Sequence, residues 1–361
     1  MINDKDITVI YQGAVNVSNL GTGNSDSSDF LYNVQKTRTA LPNATIILST
    51  WSNTVLPSDY DTPEKLGVDK IVYSDDPGAL PNIKFDNLPA NNANRQLLST
   101  LTGLKATTTR FAMKLRTDSF LTGTGFKKAY SQFEQQVSAT KKGRDFQYSP
   151  IVLCCYFTID PNVYEHMAFH MSDWVHFGET KTLLKYWDVP FFNFEDATFY
   201  ERHPHDKSSN FFDRQFRTRI AVEQYLTTEF AKKFGYAVPV FHNQIDKKIL
   251  FDFDKFLAER MIVLDLDQFG VDLPKYKWVR NSDFISMDIL MHADWYGRFV
   301  AHWQPKAVDK QVYALFKKRQ HQKVASKWVA KVTGSFAGYW WHSPENKKRK
   351  RFVEKAIKFI P

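Results

Sequence analysis

In the first third of the chain, short apolar runs alternate with polar stretches rich in Gly and Pro. Ile7-Thr8-Val9-Ile10-Tyr11 predicts a strand ending at Gln12-Gly13, where glycine permits a tight turn. Residues 16–28, rich in Asn, Gly and Ser, predict a loop, and Asp29 can cap a helix running to about Ala40, stopped by Pro42. Ala44 to Leu48 predicts a second strand, ending at Ser49-Thr50-Trp51. Lys70 to Tyr73 predicts a third, ending at Ser74-Asp75-Asp76-Pro77-Gly78. From about Asn92 to Lys105, Leu97, Leu98, Leu101 and Leu104 mark one side of a helix. The stretch Arg110 to Phe120 then organises the rest. Phe111, Met113 and Leu115 alternate as one apolar face, and the strand runs out into Lys114, Arg116 and Asp118. Strand, helix, strand, strand, helix, strand is the order of an α/β fold, a mostly parallel sheet with helices packed on it.

Further on, Phe126 to about Thr140 predicts a helix and Pro150 to Phe157 an apolar strand. His166 to Phe177 is dense in aromatic residues, and Thr180 to Trp187 fits a short helix. Residues 195–210 are polar. A long helix is expected from about Asp213 to Phe234, and Phe251 to Leu264 is expected to be helical too.

Composition narrows the class. Of 361 residues, 43% are hydrophobic and 15% aromatic, enough for a sizeable core and against disorder. No apolar run has the length of a membrane span. The polar start Met1–Asp6 carries no secretory pattern, and the two cysteines, Cys154 and Cys155, are adjacent in an apolar run. Both features lead to the expectation of a cytoplasmic, reducing location. The net charge of +9 is uneven. From Phe316 to Pro361 thirteen Lys or Arg face only Glu345 and Glu354, so the tail carries +11 and the remainder −2. Lys323, Lys327 and Lys331 recur every four residues beside Trp328. Tyr339-Trp340-Trp341 and Lys347-Lys348-Arg349-Lys350-Arg351 follow. Basic charge beside aromatic residues is the make-up of a segment that lies on an anionic membrane. A solvated helix with a basic end fits as well. Nucleic acid is not the expected partner, because the body lacks a basic stripe.

Candidate chemistry gathers at strand ends, where open α/β sheets bind ligands. No glycine-rich dinucleotide fingerprint or P-loop follows the first strand. Asp118 offers a carboxylate to a hard metal, while Lys114 and Arg116 offer cations to a phosphate. Arg95 opens a helix whose Asn92 and Asn94 can also be caps, and Trp51 can stack on a base or simply close the core. Asp252-Phe253-Asp254 and Asp265-Leu266-Asp267 read as exposed charges, and His203 and His205 lack the companions of a zinc site.

Seven stretches in order resemble the WavE lipopolysaccharide-synthesis family. They are Gln12-Gly13, Ile47 to Trp51, Asp76-Pro77-Gly78, Asn92 to Gln96, Lys114 to Asp118, Ser172-Asp173-Trp174 with His176-Phe177-Gly178, and Glu223-Gln224-Tyr225. The resemblance implies a GT-A-like, Rossmann-like glycosyltransferase of hexosyltransferase type. Its donor would be a nucleotide sugar, first of all a UDP-sugar. Its acceptor would be a glycan or lipid-linked acceptor of a bacterial surface polysaccharide, lipopolysaccharide core, O-antigen or capsule. It divides the chain into a catalytic domain over 1–240, with a nucleotide-sugar half about 1–125 and an acceptor half about 126–240. A packed part follows over 241–315, then the basic tail 316–361, expected to touch the inner face of the cytoplasmic membrane. It also implies that Asp118 holds Mn²⁺ or Mg²⁺, although Arg116-Thr117-Asp118 has one carboxylate where the family type has Asp-x-Asp. Donor binding falls to Gln12, Gly13, Thr50, Trp51, Asp76, Asn94, Arg95, Lys114 and Arg116. Glu223 is the first choice of catalytic base, Asp173 is the second or a sugar ligand, and Trp174 and His176 take the acceptor side. A nucleotidyltransferase and a non-catalytic peripheral protein working through the tail are the rival readings.

Overall fold

A computed structural model describes residues 2–23, 29–85, 90–140, 149–210, 212–281 and 288–341. The organising strand is β1 (Ile7–Gln12), buried along its whole length because helices cover both faces. On one face lies α1 (Phe30–Ala40), capped by the Asp29 side chain accepting from Leu31 N–H. Tyr11 Oη reaches it, donating to the Asn33 carbonyl at 2.9 Å. β2 (Thr45–Trp51) and β3 (Lys70–Ser74) follow. On the other face lies α2 (Ala93–Lys105), where Gly103 packs so tightly that an added Cβ would come 2.4 Å from Ile10 Cγ2. β4 (Phe111–Arg116) completes the parallel half of the sheet.

The chain continues through β5 (Phe120–Leu121), α3 (Gly125–Ser138), β6 (Ile151–Cys154), β7 (Val175–Glu179) and α4 (Thr180–Trp187). Then come α5 (Phe194–Ala197), α6 (Val222–Lys232), α7 (Lys247–Arg260), β8 (Met261–Leu264), α8 (Leu266–Phe269), β9 (Val271–Asp272), α9 (His292–Trp303) and α10 (Lys310–Trp341). Seven strands form one sheet in the order β3-β2-β1-β4-β7-β6-β8. All point the same way except β7, which is antiparallel to both neighbours. This is the mostly parallel α/β sheet that the alternating pattern predicts. Its order reverses between β1 and β4, and a crevice opens there beyond their carboxyl ends.

A separate ribbon matters for the site. β5 pairs antiparallel with β9, matching Phe120 with Asp272. Gly270 enters the ribbon at φ +83°, and an added Cβ there would lie 2.5 Å from the Gly123 carbonyl carbon, so only glycine fits. The ribbon ties residues 270–276 to the segment that leaves β4.

Several expectations need correction. β4 was expected to deliver Lys114, Arg116 and Asp118 together at a charged end. Both faces are buried, and Lys114 on the second is fully enclosed. The strand expected over 150–157 ends at Cys154: the last rung to β8 is Cys155 N–H to the Leu264 carbonyl, and Thr158 N–H then folds back to the Cys155 carbonyl in a turn. The helix expected from 213 begins only at Val222. Upstream of it, Arg217 and Thr218 donate to the Ile83 carbonyl and Arg219 N–H to the Asp196 carbonyl, which holds the backbone out of helical form. Residues 261–264 are the sheet's edge strand and not a helix end, since this run of four apolar residues pairs with β6. Lys323 does not join a basic solvent face. It is buried and bridges Asp160 at 2.7 Å and Asp294 at 3.0 Å. Asp254 and Asp267 are exposed charges, as expected, and each pairs with an arginine, Arg298 and Arg280. The basic run 347–351 lies outside the described residues. Among those described, no helix is long and apolar enough to cross a membrane.

Candidate active site

A cavity of about 940 Å³ fills the crevice. Its floor is the turn after β1, Gln12 to Asn16. Gly13 sits there at φ +119°, a conformation that side-chain-bearing residues rarely adopt. Gln12 is fixed by donating Nε2 to Ser99 Oγ at 2.9 Å. Phe30 and Trp51 supply an apolar wall. Opposite stand Asp76 with Arg95, and Arg116 through Asp118. Pro274 and Lys275, carried in by the ribbon, close one side.

The charges are arranged in forks. Arg95 donates Nε and Nη2 to the two Asp76 oxygens at 2.7 and 2.6 Å, and Nη1 to Asn92 Oδ1 at 2.9 Å. Arg116 donates Nε and Nη2 to the two Asp118 oxygens at 2.8 and 2.7 Å. Its hydrogen bonds with Arg95 hold the Asp76 carboxyl below the usual range. Burial pushes Asp118 up, but the Arg116 fork outweighs it and the carboxyl is lowered. This donor set does not fit the expected metal role of Asp118. It is a single carboxylate, and both its oxygens already accept from Arg116. Among the described residues no three His, Cys, Asp or Glu converge on a point. Each oxygen keeps a further lone pair, but the charge of this single carboxylate is already offset by the guanidinium, and a hard dication needs carboxylate charge that is not so spent.

Beyond the forks lies a carboxylate pair. Gln96 lines the cavity and donates Nε2 to Asp173 Oδ2 at 2.5 Å, whereas Asp173 Oδ1 is buried without a partner. Glu223 stands in the first turn of α6, and its Oε2 lies 3.6 Å from His170 Nε2. His170 Nδ1 lies 2.9 Å from the Phe157 carbonyl, which can only accept, so Nδ1 carries the proton and Nε2 faces Glu223. Burial raises the Glu223 carboxyl and Asp173 adds to this, while His170 and Arg116 lower it. Over the pair lies Tyr276, its ring 3.8 Å from that of Trp174 and 5.9 Å from the Arg116 guanidinium.

The model of the WavE lipopolysaccharide synthesis family matches residues 7–329. The chain belongs to that family. No curated protein matches it. Among solved structures, a crystal structure of S. aureus TarS 1-349 is 11% identical, with 91% of this chain and 90% of that one covered and a TM-score of 0.32. A second, of S. aureus TarS, is also 11% identical over 91% of this chain and 55% of that one, with a TM-score of 0.31. At these values the likeness to TarS carries no argument.

Of the residues singled out in this WavE-family sequence, Gln12, Gly13, Trp51, Asp76, Arg95, Arg116 and Asp118 share the cavity wall. Others are structural. Thr50 is fully buried in β2. Asn94 spends its amide on the backbone of Phe192, accepting from its N–H at 2.7 Å and donating to its carbonyl at 3.0 Å. Lys114 donates to the Asp173 carbonyl, anchoring the loop before β7, and burial brings its pKa down to about 8. His176 is paired with the Ser172 carbonyl at 2.7 Å. Burial first, then Lys114, pushes it down to about 4, so it is a neutral core histidine and not an acceptor ligand. Trp174 is buried beneath Tyr276 and supports the wall from behind. Sequence reasoning missed Gln96 as a bridge, along with His170, Lys275 and Tyr276. Only Gln96 stood within a motif. The other three are brought in from distant loops, and no local pattern marks them.

Proposed function

We propose that this chain is a glycosyltransferase that moves a sugar from a nucleotide-sugar donor, UDP-linked in the first instance, onto a growing bacterial surface glycan. The observation that carries the reading is the junction of two half-sites. A cavity with an aromatic wall and forked arginines lies against a carboxylate pair, Asp173 buried and Glu223 partly so, and Gln96 joins the cavity to Asp173. Membership of a lipopolysaccharide-synthesis family supports the glycan as acceptor.

Each part then has a task. Trp51 and Phe30 take the nucleoside, and Arg116 faces the diphosphate, whose negative charge grows as the sugar–phosphate bond breaks. Glu223 accepts the proton of the attacking hydroxyl, and its raised affinity for protons makes it a stronger base than an exposed glutamate. His170 orients that carboxylate. Asp173 holds a sugar hydroxyl with its unpartnered oxygen. Phosphorus NMR of the purified chain with a panel of nucleotide sugars and surface glycan tests the reading. It predicts accumulation of a nucleoside diphosphate. No nucleoside diphosphate from any donor, with pyrophosphate released instead when a nucleoside triphosphate and a sugar 1-phosphate are supplied, would identify a nucleotidyltransferase and sink the proposal.

A further inference from the structure

Asp76 and Asp118 occupy the same cavity in the same arrangement, each with both oxygens received by one edge of a guanidinium. Each fork is electrically neutral. A divalent cation at Asp118 would have to share that one carboxylate with Arg116 and would sit beside the guanidinium and near Lys275. The position where an Asp-x-Asp motif has its first carboxylate is Arg116 here, so the local charge is inverted. Lys275 makes no ion pair among the described residues, although it lines the cavity and lies near enough to Asp118 to act on its charge. The net charge of the lining side chains is therefore one positive, carried by a lysine held in place by the β5–β9 ribbon. Arg116 spends only Nε and Nη2 on Asp118, which leaves further N–H donors for an anion.

Resting on the donor-site reading above, we infer that the donor diphosphate is held by Lys275 and the outer edge of Arg116, without a divalent cation. Asp118 is then a positioning residue that fixes the plane of the Arg116 guanidinium. Arginine matches a phosphate through a fork, and lysine acts as a point charge beside it.

Titration calorimetry on the full chain tests this, with UDP, GDP, CDP and ADP in turn, in EDTA and in Mn²⁺. The inference expects one diphosphate to bind in EDTA, with Mn²⁺ changing Kd less than about twofold. Lys275→Gln should weaken binding about tenfold or more, the scale of a hydrogen bond to a charged group, and Lys275→Arg should restore it. Asp118→Asn, which breaks the fork that fixes Arg116, should weaken binding by the same factor in EDTA and in Mn²⁺. Binding that needs Mn²⁺ and is lost in Asp118→Asn would overturn the inference while keeping the donor site. No binding of any diphosphate in either buffer would overturn both. Circular dichroism melts establish that each variant is folded.

Discussion

At the scale of single residues, the site depends on how burial is offset. Glu223 is raised by burial and by Asp173, and His170 works against that rise. The groups facing Glu223 are thus His170, Asp173 and Arg116, with Tyr276 over them. A base acts only when ionised, so activity should fall as pH drops through the raised Glu223 value. Removing His170 removes a lowering influence. His170→Gln is therefore expected to move the acid limb of the kcat/KM profile to higher pH while activity at high pH is largely kept. An unmoved limb would reduce His170 to packing. Lys114 teaches the complementary lesson. A lysine beside Arg116 and Asp118 in sequence looks like a phosphate ligand, and it does share a strand face with Arg116, but it stands two residues back from the strand's carboxyl end, where that face is covered and its ammonium lies over the Trp187 ring.

Elements are joined here by buried charge as much as by apolar packing. α10 docks through Lys323, held by Asp160 and Asp294, and through Arg319, which donates to Asp294 at 2.8 Å. Arg298 of α9 reaches Asp160 at 3.2 Å. Burial pushes Asp160 up, but Lys323 and Arg298 together hold it far below the usual carboxylate range. Its contribution to stability is present above the unfolded value and is lost as pH falls. Lys323→Ala leaves two buried carboxylates short of a cation, each with one arginine remaining. The cost should be about 3 kcal/mol, the lower end for breaking a buried pair. The urea midpoint should fall accordingly with the slope unchanged. A midpoint within error of the native protein would mean that the arginines alone hold the carboxylates.

For the molecule as a whole, what could be read from sequence is what local pattern encodes. The four strands and two helices before Asp118 follow from short-range periodicity and caps, and the turns that close them put Gln12, Gly13, Trp51 and Asp76 at the sheet's carboxyl edge. The rest needed contacts between distant segments. β8 looked like the end of a helix because four apolar residues carry no period, and its pairing with β6 is a long-range event. Lys275 reaches the site through a ribbon closed by Gly270 and Gly123, and His170 meets Glu223 across a gap of sequence that no spacing rule spans. Asp118 was found in the right place, but its fork with Arg116 was not legible, because that pairing is a matter of side-chain geometry.

The central claim is sugar transfer at the junction of the cavity and the carboxylate pair. Mass spectrometry of a surface glycan acceptor, after incubation with the nucleotide-sugar panel, tests it most directly. With native protein the acceptor should gain the mass of one sugar, in step with nucleoside diphosphate released. With Glu223→Gln the gain should slow by about 10²–10⁴-fold, the range for loss of a general base. An acceptor of unchanged mass with every donor, or a gain undiminished in Glu223→Gln, would contradict the account.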